Sequence, residues 1–150
     1  MKKSSEDIQI SSSISKERLD EILEDMILEV ETNLWISVED GYEGNSFWIS
    51  ISGDDSEEYW PSAGIIEIDV NSDPFNKIVS LSHEVGHYFL EKDNSFGSNT
   101  HRMFVESLAW YLGHKYFEDK GYVIDPEEYK KAANICLEEY VRSINEKNNN

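Results

Sequence analysis

His83, Glu84 and His87 stand in the stretch SLSHEVGH, two histidines four residues apart with a glutamate directly after the first. A helix turns about 100° per residue, so His83 and His87 fall about 40° apart, one turn from each other, and both imidazoles reach one ion. Imidazole nitrogen binds zinc at about 2.0–2.1 Å. Glu84 lies on the flank of the pair, badly placed to ligate but within reach of a water on the metal. Zinc lowers the pKa of such a water to near 7, and a carboxylate beside it takes the proton as the oxygen attacks a carbonyl. The spacing predicts a metal centre suited to hydrolysis.

A catalytic zinc takes three protein ligands and keeps one position open. Glu106 is the candidate for the third. It sits nineteen residues after His87, enough for a turn and a return on an antiparallel helix. Ala109 and Gly113 follow along nearly the same face, with Trp110 and Phe117 beside them, and small residues there let two helices approach closely. A carboxylate on such an apolar face is costly unless it is paired. Asp93, six residues after His87, is the alternative, at the spacing another class of zinc protease uses. That class turns the chain with a glycine where this one has Leu90, so Glu106 is preferred. Arg102, one turn before Glu106, is placed to orient its carboxylate. His101 and His114 project away from the Glu106 direction.

The elements that must position these residues follow from periodicity. Ser15 can cap a first helix, whose stripe is Leu19, Ile22, Leu23, Met26, Ile27 and Val30. Residues 34–40 and 46–52, joined by a glycine-containing loop, predict a β-hairpin, and residues 64–70 a third strand with Ile66, Ile68 and Val70 on its buried face. A second helix over 75–91 carries the histidines, with Ile78, Leu81, Ser82, Val85 and Phe89 as the stripe facing the sheet. A third helix runs from 100 to 119. A fourth starts at Asp125, with Pro126 in its first turn and Glu128 completing a capping box. The four tryptophans read as core and Cys136 as a small core residue, with Trp48 or Trp60 near a sheet edge. The expected fold class is α+β: one domain over 15–146 with a small, largely antiparallel three-stranded sheet, a flexible lead-in over 1–14 and a frayed tail over 147–150.

Composition sets the outer limits. The formal charge of −18 over 150 residues repels phosphate backbones and anionic membrane surfaces, which argues against nucleic-acid and membrane partners. A single cysteine excludes an internal disulfide. No signal-peptide pattern and no membrane-spanning run is visible, so a cytoplasmic setting is expected.

With these residues in view, the chain resembles a gluzincin-type zincin, and more specifically the ImmA/IrrE family of small intracellular metallopeptidases. The resemblance is carried by GIIEIDVNSDPFNKIVSLSHEVGHYFLE and by FVESLAWYLG. It implies a zincin-like fold, His83, His87 and Glu106 as zinc ligands, and Glu84 as general base. Many family members come from phages and mobile elements and act on a transcriptional repressor. The glutamate segment lacks the family's Glu-Ala-Asn run, and no helix-turn-helix is evident.

The expected function is that of a zinc endopeptidase acting on a protein or peptide substrate, for which the acidic surface would suit a basic DNA-binding regulator. The alternatives are a zincin scaffold that sequesters a partner without cutting it, and an acidic inhibitor that acts through charge.

Overall fold

The computed structural model describes residues 7–50, 64–93 and 102–148. The chain runs β1 (Ile8–Ile10), α1 (Lys16–Leu34), β2 (Ile36–Gly41), β3 (Phe47–Ser50), β4 (Gly64–Asp69), α2 (Pro74–Asp93), α3 (Arg102–Asp119), β5 (Tyr122–Ile124) and α4 (Pro126–Asn148). The fold class is α+β. Among the described residues, no helix is long and apolar enough to cross a membrane.

Local chemistry sets the helix starts. Ser15 Oγ accepts from the backbone N–H of Arg18, and α1 then buries Leu19, Ile22, Leu23, Met26, Val30 and Leu34 along one face. The helix ends at Trp35 in the left-handed region, with φ at 59°. That reversal leaves Trp35 48 % exposed, not in the core as its size suggests. Asp73 caps α2 by accepting from Asn76 N–H at 2.8 Å. Asp125 caps α4 by accepting from Glu128 N–H at 3.0 Å. The expected capping box stops there, because the Glu128 carboxylate is taken by the backbone N–H and hydroxyl of Ser12.

The three-stranded sheet departs from the expected hairpin. Its order is β2-β4-β3, so β4 lies between the two strands predicted to pair. β2 runs parallel to β4, from Ile36 opposite Gly64 to Gly41 opposite Asp69, and β3 runs antiparallel to it. The sheet is therefore mixed, not largely antiparallel. β4 carries Ile66 and Ile68, both buried, and a strand that apolar gains most from the centre, where both edges are paired. A second, two-stranded sheet was not foreseen. Residues 8–10 were expected to be a flexible lead-in, yet β1 pairs in parallel with β5, burying Ile10 and Ile124.

α2 passes through the middle of the molecule. α1, β3 and β4 lie against it on one side and α3 on another. Ile78, Leu81 and Val85 are fully buried. Ser82 and Phe89, expected to face the sheet with them, turn to the other helices: Ser82 meets Gly113 of α3, and Phe89 meets Tyr116. Tyr88 packs edge-on against Trp48 of β3.

The approach of α2 to α3 is set by two glycines. A Cβ on Gly86 would stand 1.7 Å from the Ala109 carbonyl oxygen, and one on Gly113 would stand 1.8 Å from that of Ser82. Alanine in place of a helical glycine ordinarily gains about 1 kcal/mol. Here Gly86→Ala and Gly113→Ala are expected to lower stability by about 1–3 kcal/mol each, because backbone has to move. Urea denaturation measures this, and a gain in stability would show that the helices stand farther apart.

Candidate metal centre

His83 and His87 leave α2 on one face, one turn apart, and Glu106 leaves α3 opposite them. Nε2 of His83 lies 3.0 Å from Oε1 of Glu106, Nε2 of His87 lies 3.2 Å from the same oxygen, and the two Nε2 atoms are 3.2 Å apart. Three atoms that can each act as acceptors point at one another, an arrangement that repels unless a proton or a cation lies between them. A tetrahedral site with bonds of about 2.0–2.1 Å has ligand–ligand edges of about 3.3–3.4 Å. The observed triangle is close to one face of such a site. His83, His87 and Glu106 thus form a possible metal-binding triad.

The surroundings hold each group in place. The imidazole of His83 lies flat on the indole of Trp110, with centroids 4.1 Å apart and planes within 10° of parallel. Oε2 of Glu106, the oxygen turned away from the imidazoles, accepts from Nε of Arg102 at 3.2 Å. The expected orienting contact is therefore made, from an arginine whose own side chain is 62 % exposed. Burial opposes the charge of Glu106, but hydrogen bonding from His83 and His87 outweighs it and holds the carboxyl well below the usual carboxylate range. Burial likewise lowers the pKa of His83, aided by the nearby charge of His87 and opposed by Glu106. For His87 burial also acts downward, yet the hydrogen bond and charge of Glu106, with the charge of Glu84, raise the pKa overall.

Glu84 is the fourth polar group. It is only 7 % exposed, and its Oε2 stands 3.7 Å from Nδ1 of His83, beyond hydrogen-bond distance and outside the triad. Burial pushes its carboxyl up to about 7. A carboxylate kept in such a place is a cost to the fold.

The other sequence candidates fall elsewhere. Nε2 of His114 donates to the Ile124 carbonyl of β5 at 3.2 Å. The side chain of Asp93, together with His101 and Trp60, lies outside the described residues. Reading the sequence missed two neighbours of the site. Trp110 reads as core from its size, and nothing in its spacing signals that it stacks on His83. Gly86, between the two histidines, does carry a signal, because a glycine inside an apolar helix marks a close approach.

The triad is expected to bind one divalent ion per chain, measured by elemental analysis after dialysis. His83→Ala, His87→Ala and Glu106→Ala should each abolish stoichiometric binding. Arg102→Ala should retain the ion with affinity about tenfold weaker, at the low end for a supporting contact because the arginine is exposed. Retention of the ion by Glu106→Ala would remove the carboxylate from the ligand set.

No family model, curated protein or solved structure matches this chain, so the case for a metal centre rests on the residues themselves.

Proposed function

We propose that this chain is a zinc-dependent peptidase of the ImmA/IrrE kind, hydrolysing peptide bonds in a protein target. One observation carries the reading: two imidazoles and a carboxylate converge from separate helices, with a second, buried carboxylate directly beside them. A structural triad would have no use for Glu84. The resemblance of residues 64–113 to that family points the same way.

His83, His87 and Glu106 would hold the zinc, and the donor set of two imidazoles and one carboxylate suits that ion. When bound, zinc supplies Lewis acidity, polarising a carbonyl and lowering the pKa of water toward 7. Arg102 keeps the outer oxygen of Glu106 occupied and leaves Oε1 facing the imidazoles. Trp110 limits rotation of the His83 ring. Glu84 accepts a proton from the water as its oxygen joins the peptide carbon, and returns it to the amine nitrogen as the C–N bond breaks. The net charge of −18 favours a basic target, such as a DNA-binding regulator, in the cytoplasm.

Glu84→Gln tests this directly. The variant is expected to keep its zinc and lose about 10²–10⁴-fold in cleavage rate, read as newly formed protein termini after incubation with cell lysate. Chelation should stop the wild type. Full biological activity in Glu84→Gln would instead support a metal-stabilised binding protein. Activity that ignores chelators and collapses with salt would support an acidic mimic.

A further inference from the structure

Tyr129 is a buried residue of α4 with no part in the metal centre as described so far, yet its hydroxyl joins both helices that build it. The Tyr129 O–H donates to the Trp110 carbonyl at 2.7 Å. That bond uses the only phenolic proton, so the Ser82 hydroxyl, 3.0 Å away, must be the donor to the Tyr129 oxygen. Ser82 directly precedes His83 on α2, and Trp110 is the residue on which the His83 ring lies. The phenol ring also meets the Trp110 indole edge-on, with centroids 5.2 Å apart. Cys136, two turns further along α4, is a second neighbour of the same indole.

α4 has otherwise a modest hold on the molecule: Tyr129 is its one buried large side chain among the described residues. A phenylalanine there would fill the same space. The hydroxyl adds only the tie between Ser82 and the Trp110 backbone, two groups that have His83 as a common neighbour.

We propose that Tyr129 is a positioning residue for His83: it fixes Trp110 relative to Ser82, and so fixes the plane of the imidazole that the indole supports. The proposal rests on the metal-centre reading. It concerns how the imidazole is presented to an ion, not the chemistry that follows.

The test uses the full chain loaded with cobalt(II), whose visible absorption reports ligand geometry, and zinc affinity measured by competition with a chelating dye. Tyr129→Phe is expected to weaken zinc binding by about 10-fold or more and to shift or weaken the cobalt bands. Trp110→Phe, which leaves both Tyr129 hydrogen bonds possible but shrinks the stacking surface, should change both readouts in the same direction. A role in stability alone predicts a lower melting temperature for the metal-free Tyr129→Phe protein with wild-type affinity and an unchanged cobalt spectrum, and that result overturns the proposal. If Tyr129→Phe does not fold, Ser82→Ala, which cuts the tie of Tyr129 to α2, decides: wild-type affinity and spectrum overturn the proposal, and altered ones support it. Wild-type and His83→Ala proteins run alongside. Failure of wild type to take up cobalt would sink the metal centre itself, and with it this inference. Uptake by wild type but not by His83→Ala, with a normal Tyr129→Phe, would sink the inference alone.

Discussion

The backbones of α2 and α3 touch. Gly86 lies against the carbonyl of Ala109, and Gly113 lies against that of Ser82, at separations that no side chain could enter. A glutamate reaches only a few ångströms from its own backbone, so Glu106 can put one oxygen 3.0 and 3.2 Å from two imidazoles only if its helix lies this close. The small residues of both helices are the condition for the triad. The larger ones, Ile78, Leu81 and Val85 of α2 and Phe117 of α3, are fully buried and anchor the two helices in the core.

Electrostatics divides the site along α2. The triad side gathers groups that share protons or would share a cation, and Glu106 stays ionised there in spite of its burial. Glu84, one residue from His83, is turned through a further 100° out of the triad, and the nearby charge of His87 does not offset its burial. Two carboxyl groups on neighbouring helices thus differ in proton affinity because one faces two imidazoles and the other does not. The proposed division of labour, Glu106 holding charge and Glu84 moving protons, follows that difference.

The triad was legible in the sequence because its grammar is local. His83 and His87 need only helical periodicity, and Glu106 needs only a return helix whose facing residues are small. Caps at Ser15 and Asp125 were legible for the same reason. What could not be read depends on partners distant in the chain. Residues 34–40 and 46–52 look like a hairpin because the turn between them is visible and the competing strand, β4, arrives later. β1 and β5 are three residues each and carry no periodicity long enough to detect. Glu128 fits a capping box by spacing, but Ser12 offers it two donors across the fold. Trp35 has the size of a core residue and the position of a helix end, and position decided.

The β1–β5 ribbon and the Ser12–Glu128 bonds join residues as much as 116 positions apart, and both ligand-bearing helices lie inside the loop so closed. In chain order β1 precedes its partner β5, and both ligand-bearing helices come between them. α2 and α3 can meet while that strand is still alone, since their contact is between sequence neighbours. The loop closed by the ribbon is thus the entropically costly step of the fold, while the contact of the histidine helix with its companion spans little chain.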